Sequence, residues 1–147
     1  MIVARPYARS DFGACLALFD GNVPDFFAPE ERAEFAAFLE EGPATAYLVL
    51  ERDGSMVAAG GVSVGPSGWV TLDWGMVARS LQREGLGRRL LTERVALSRR
   101  MPGAIGLRLE TSQKTAGFYA GMGFSVRGVV PGGFGPGLDR VEMDLLF

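Results

Sequence analysis

The feature that most constrains this chain is a junction in its middle third. Trp69-Val-Thr-Leu-Asp-Trp-Gly-Met-Val77 reads as a strand, a short loop follows, and Gly85-Leu-Gly87 opens an amphipathic helix from about Glu84 to Met101. Leu86, Leu90, Leu97 and Met101 share one stripe of that helix, with Leu91 and Val95 beside it. Pro102-Gly103 ends it. A strand feeding such a helix directly must lay the helix on a sheet. The first-turn amides of a helix have no intrahelical partners, and the macrodipole places about half a positive charge there. Glycines let an anion reach that backbone without meeting a Cβ. Arg83, Arg88 and Arg89 add charge around it. The junction has the makings of a phosphate cradle.

The rest of the chain supplies a sheet for it. Ile2–Tyr7 is a short apolar strand, and Ser10 is placed to cap a helix over Asp11–Phe19. A second helix is expected from about Pro29, with Phe35, Phe38 and Leu39 on its apolar stripe. The period then changes from helical to alternating. Ala46–Glu51 and Met56–Val64 read as a hairpin turning at Asp53-Gly54. Beyond the long helix, Ile105–Glu110 reads as a strand and Gln113–Met122 as a short helix. Gly123–Val130 and Leu138–Phe147 read as closing strands around the loop Pro131–Gly137. The order is β-α-α-β-β-β-α-β-α-β-β, an α/β (α+β) fold with a mixed, mostly antiparallel sheet flanked by helices. With 147 residues and no internal repeat, one domain over 1–147 is expected.

Composition narrows the chemistry. The chain has no histidine, which removes a histidine-based triad, imidazole zinc ligation and a histidine pH switch together. Cys15 is the one cysteine, so neither a disulfide framework nor a CxxC metal clip can form, and no metal site is expected. No apolar run is long enough to span a bilayer, and no secretory leader is visible, so a cytoplasmic protein without a membrane partner is expected. A net charge of -2 predicts no general affinity for nucleic acid. Its distribution is uneven. Asp11 to Asp53 holds ten carboxylates against Arg32 and Arg52, whereas Arg79 to Met101 holds seven arginines against Glu84 and Glu93.

Two nucleotide motifs can be set aside. The string G-x-x-x-x-G-K-[ST] is absent, and Gly85-Leu-Gly87-Arg-Arg-Leu90 has leucine where a dinucleotide fingerprint needs its third glycine. The spacing Gln82-x-x-Gly85-x-Gly87 after a strand ending in Val77 resembles the acyl-CoA pyrophosphate loop, Q/R-x-x-G-x-G/A, of the GNAT superfamily of N-acetyltransferases. Phe118-Tyr-Ala-Gly-Met-Gly-Phe124 resembles that superfamily's later Y-x-x-x-G-F block. The two blocks stand in the family's order with a strand between them, and the resemblance covers nearly the whole chain.

The resemblance implies an acetyl-CoA-dependent acyltransferase acting on a primary amine of a small molecule or peptide by direct attack. It places Gly75, Met76 and Val77 along the pantetheine arm, with an N–H near Met76 or Val77 facing the thioester carbonyl. Gln82 and the run Arg83, Glu84, Gly85, Leu86, Gly87 and Arg88 would hold the pyrophosphate. Tyr119 matches the family's usual proton donor to the leaving thiolate. An alkyl amine is protonated at neutral pH, so a base is needed, and Glu110 and Asp73 are the candidates. Relatives often carry Asn seven residues before the tyrosine. Ser112 stands there in this chain and Gln113 follows it, so either could make that contact.

Each of these residues also has a plainer role: a core aromatic for Tyr119, a local pair for Glu110, a solvated strand position for Asp73. In relatives the N-terminal helices and the last hairpin shape the acceptor site. Here they carry Asp20, Asp25, Glu30 and Glu31 among Phe26, Phe27 and Phe134, which would suit a cationic amine with an apolar part. Self-association into a homodimer is left open. Two other classes stay in view: a non-catalytic acyl-CoA-binding domain, and an unrelated α/β protein binding another phosphate ligand.

Overall fold

The computed structural model describes residues 1–42 and 46–147. The elements are β1 (Ile2–Pro6), α1 (Phe12–Asp20), α2 (Glu31–Glu40), β2 (Tyr47–Arg52), β3 (Ser55–Val64), β4 (Trp69–Val77), α3 (Leu86–Arg99), β5 (Gly106–Thr111), α4 (Ala116–Gly121), β6 (Ser125–Gly135) and β7 (Leu138–Leu146). The strands hydrogen-bond in the order β1-β2-β3-β4-β5-β7-β6. The expected element order is the observed one. The chain forms two compact units, Met1–Val62 with Leu72–Leu97, and Ser63–Thr71 with Ser98–Phe147.

In the first unit β1, β2 and β3 run antiparallel, with Ala4 opposite Leu50 and Val49 opposite Ala59. Side chains alternate across β2, and each face has its own cover. Tyr47 and Val49 join Cys15, Phe19, Phe35 and Leu39 in one buried cluster. Leu50 joins Val57, Ala58, Leu86 and Leu90 in another. The sheet of this unit therefore lies between α1 with α2 on one side and α3 on the other.

In the second unit β5 pairs antiparallel with β7, and β7 with β6. The start of β4 pairs in parallel with β5 through Trp69 opposite Gly106 and Val70 opposite Leu107. One face holds the buried Leu107, Val141 and Met143. The other carries an ion-pair ladder. Asp144 accepts from Arg108 at 3.0 Å and from Arg127 at 3.1 Å, Arg127 also reaches Glu142 at 3.2 Å, and Arg140 lies 3.7 Å from both Glu142 and Glu110.

Several boundaries differ from expectation for identifiable reasons. Ser10 does not cap α1. A 3-10 turn at Arg9–Asp11 precedes the helix, and the Asp11 carboxylate takes the Ala8 N–H at 2.8 Å while Arg5 grips its two oxygens at 2.7 and 2.8 Å. A charged acceptor held in place outcompetes a neighbouring hydroxyl. The second helix runs from Glu31, within two residues of the expected start near Pro29, and the Glu31 carboxylate reaches back to the Ala28 N–H at 3.0 Å as in a capping box. Helix α3 starts at Leu86 because Gly85 has φ +82°. Helix α4 covers six residues rather than the span from Gln113 to Met122. Strand β6 continues through Pro131-Gly-Gly-Phe-Gly135, where a loop was expected. Proline is tolerated on an edge strand, and the register shifts between Val130 and Gly135 absorb the irregularity.

Candidate active site

The glycine-marked loop lies in the first unit. A 3-10 turn at Arg79–Leu81 follows β4, then Arg83 and Gly85 both adopt left-handed backbone, with φ +70° and +82°. The first intrahelical bond of α3 runs from Arg89 N–H to Gly85 C=O at 3.0 Å. The N–H groups of Leu86, Gly87 and Arg88 are thereby left without an intrahelical acceptor. Leu86 itself is buried and anchors the helix start in the core. A Cβ built at Gly87 would meet no protein atom within 4 Å, and its φ lies outside the left-handed region. Neither packing nor backbone conformation asks for glycine at this position. The space beside the helix start is open.

The charges around this turn divide into two sets. Glu84 pairs with Arg52 at 3.2 Å, and Arg89 is drawn to Glu93 at 3.3 Å and to the Ile2 carbonyl. Among the described residues no carboxylate pairs with Arg83 or Arg88, and both are exposed. An anion at this helix start would meet three amides, the positive end of the dipole and two available guanidinium groups.

The strand leading into the loop is irregular and heavily braced. Trp74 sits within β4 at φ +44°. The preceding carbonyl, of Asp73, accepts from Arg94 Nη2 at 3.0 Å, and the Trp74 carbonyl accepts from the buried Tyr47 hydroxyl at 2.8 Å. Burial pushes the Tyr47 hydroxyl well above its ordinary pKa, which keeps it protonated and a donor. Arg94, 6% exposed, also donates twice to the Gly61 carbonyl, at 2.9 and 3.1 Å. Its guanidinium occupies the side of β3 and β4 where Gly60 and Gly75 lack side chains. Gly75 is thus glycine because Arg94 needs the room, whatever passes its other face. Met76, next along, is buried.

Arg94 has a signal in the sequence. It occupies the core-facing stripe of α3, four residues after Leu90, where an aliphatic side chain would be ordinary. Asn22, between α1 and α2, is likewise unmarked by its local sequence. It is 2% exposed, and its side chain meets Leu18, Val77 and Gln82.

The second unit carries the remaining candidates. Tyr119 lies on α4, half-buried, with its ring edge-on to Phe118 at 5.2 Å and to Phe124 at 5.6 Å. Its carbonyl accepts from the N–H groups of Met122 and Phe124. Glu110 is exposed at the end of the ladder, 3.7 Å from Arg140 Nε. Ser112 Oγ accepts from the Lys114 N–H at 3.2 Å. The Gln113 amide clasps the β6–β7 turn, donating to the Gly137 carbonyl at 2.8 Å and accepting from the Asp139 N–H at 2.7 Å.

Of Asp20, Asp25, Glu30 and Glu31, the first two are paired with arginines. Asp20 is held by Arg32 at 2.8 Å, Asp25 lies 2.5 Å from Arg79, and Glu31 bonds the Ala28 N–H. The aromatic residues of the same stretch, Phe27, Phe35 and Phe38, pack around Trp74 with ring centroids 5.1–6.4 Å apart. Among the described residues no cluster of three or more Cys, Asp or Glu could hold a metal, and no helix is long and apolar enough to cross a membrane.

Comparison with known proteins gives a consistent result. A model of the acetyltransferase (GNAT) family matches residues 15–124. A GNAT-family protein of Desulfovibrio desulfuricans has a solved structure that superposes with a TM-score of 0.81 at 28% identity, covering 99% of both chains. A Salmonella typhimurium protein crystallised with acetyl-CoA superposes at 0.79 and 22% identity, over 99% of this chain and 94% of that one. A ribosomal-protein-alanine N-acetyltransferase from Brucella melitensis superposes at 0.75 and 22% identity, over 99% of both. No curated protein matches the sequence.

Proposed function

The chain belongs to the GNAT family of acetyltransferases, and on that premise we propose that it moves an acetyl group from acetyl-CoA to a primary amine by direct attack. The acceptor is a small molecule or a peptide N-terminus or side chain. The observation that carries this reading is the start of α3. Three helix-end amides, an unfilled space at Gly87 and the charges of Arg83 and Arg88, which pair with no carboxylate among the described residues, make a site for a pyrophosphate. In this reading the backbone of Gly85 to Arg88 binds the phosphates. The backbone of Gly75, Met76 and Val77 pairs with the pantetheine arm as an added strand would.

The chemistry then follows from proton bookkeeping. The acceptor amine must lose a proton before its lone pair can attack the thioester carbon. Glu110 or Asp73 takes that proton, directly or through water. The new C–N bond forms as an N–H near Met76 or Val77 stabilises the oxyanion. The C–S bond breaks, and Tyr119 gives its proton to the departing thiolate. Ser112 is the better placed of the two replacements for the family's Asn contact, since both polar ends of the Gln113 side chain are engaged on the hairpin.

The test is titration calorimetry of acetyl-CoA with wild type and Gly87→Glu, with ATP and NAD as controls. Micromolar binding that the substitution abolishes supports the reading, and release of free CoA with a panel of amines then identifies the acceptor. Equal binding of all three ligands, or none, overturns it. Acetyl-CoA binding with no turnover on any amine would favour an acyl-CoA-binding domain.

A further inference from the structure

Asn22 is a buried amide whose polar atoms all face one task. Its Nδ2 donates to the Leu18 carbonyl at 2.9 Å and to the Val77 carbonyl at 3.1 Å, and its Oδ1 accepts from Gln82 Nε2 at 3.3 Å. Val77 ends β4, and Gln82 lies at the head of the glycine-marked loop, so one side chain spans both ends of the turn between them. Rotating the amide would press its oxygen against two carbonyls, so this network admits one orientation.

The backbone of Asn22 ties in a second segment. Its carbonyl accepts from the N–H groups of Phe26 and Phe27 at 2.9 and 3.2 Å. A separate tether repeats the link, because Arg79, within the same turn, lies 2.5 Å from Asp25 and 5.3 Å above the Phe26 ring. Residues 22–27 and 77–82 are joined by an amide, an ion pair and a cation–π contact.

We infer that Asn22 is a positioning residue for the acyl-CoA loop, and that through it ligand binding at the loop is felt at Phe26 and Phe27. The inference rests on the function proposed above. Val77 and Gln82 set the direction in which the chain enters Arg83 and the start of α3. A loop that has lost these bonds no longer presents its amides in register before the ligand arrives, and the cost of ordering it falls on binding.

The conservative substitution Asn22→Asp gives a readout that stability alone does not move. A protonated acid can still donate one bond to Leu18 or Val77, whereas a carboxylate donates none and sets an oxygen against both carbonyls. In folded Asn22→Asp the Kd for acetyl-CoA, measured by calorimetry beside wild type, is expected to rise about tenfold more at pH 8 than at pH 5.5. The KM for acetyl-CoA should rise with it, while kcat at saturation changes little. A Kd equal to wild type at both pH values in a folded variant overturns the inference and leaves the proposed function standing. If wild type does not bind acetyl-CoA, both are overturned. Should Asn22→Asp fail to fold, wild type carries the test: acetyl-CoA is expected to slow hydrogen exchange at the Phe26 and Phe27 amides. Unchanged exchange there in a protein that binds overturns the inference.

Discussion

The guanidinium of Arg94 fills the place where a side chain at Gly75 would stand: a Cβ built on Gly75 collides with Nη1. Arg94 reaches through the core of its unit to hold the Asp73 and Gly61 carbonyls, and the strand beside it is bare so that it can. Gly75→Ala must push the guanidinium off those carbonyls. Its expected cost is about 1–3 kcal/mol, the usual range for overpacking a filled interior. Arg94→Met removes the charge but takes the bonds from the buried Gly61 carbonyl and the half-buried Asp73 carbonyl, for a similar loss of about 1–3 kcal/mol. Chemical denaturation checks both, and a wild-type midpoint in either would show that the bonds to β3 and β4 are dispensable.

Gly87 should behave in the opposite way. It has open space around it and ordinary backbone near the start of a helix. Gly87→Ala is therefore expected to be neutral, or to stabilise by about 0.5–1 kcal/mol. Gly87→Glu should fold as well as wild type and lose acetyl-CoA, since it sets a bulky anion where the phosphates belong. Thermal melting beside calorimetry separates the two effects, and unimpaired binding by Gly87→Glu would remove the helix start from the site.

Tyr119→Phe keeps the ring contacts with Phe118 and Phe124 and removes only the hydroxyl. The expected result is a KM close to wild type and a kcat lower by about 10²-fold, the lower end for loss of a general acid. An unchanged kcat between about pH 6 and 10 would rule out the donor role. For the base, Glu110→Gln and Asp73→Asn are compared in the same profile. The variant that loses the acid limb identifies the proton acceptor, and an intact limb in both points to another residue or to water.

Three aspartates make stability depend on acid, and of these Asp20, held by Arg32, is half exposed and contributes least. Hydrogen bonds from Arg5 hold the Asp11 carboxyl below the usual range, and Arg108, then Arg127, do the same for Asp144. A carboxyl whose folded pKa is depressed contributes stability that is fully present above its unfolded value and lost as pH falls through the folded one. The denaturation midpoint should hold down to about pH 4 and fall steeply below it. Arg5→Met should flatten the part of that fall due to Asp11, and a curve parallel to wild type would discount the pair.

Much of this was readable from the residues, and the exceptions share a cause. The element order and the junction at Val77–Leu86 follow from periodicity and glycine placement, which are local properties. The start of α1 depends on a partner from another element: Arg5 holds the Asp11 carboxylate on the Ala8 N–H, and no side chain caps the helix. The Pro131–Gly135 stretch looks like a loop by composition and is a strand by its pairing with β7. The importance of Arg94 and Asn22 lies in which carbonyls they reach, and sequence periodicity does not carry that. Nothing in the neighbouring sequence marks Val77 as the partner of Asn22, 55 positions away.

Cys15, the lone cysteine, is packed in the core among Phe19, Phe35 and Tyr47, and burial pushes its thiol up to about 12. While the fold is closed, a disulfide reagent in the assay mixture should find no protein sulfur to react with. Colour that develops with an amine present then counts released coenzyme alone, without correction for the enzyme. The same thiol yields only when the core opens, so its slow labelling in a resting sample would time that opening. One residue thus makes the native chain a silent background for the assay and, on a longer clock, a reporter of its own unfolding.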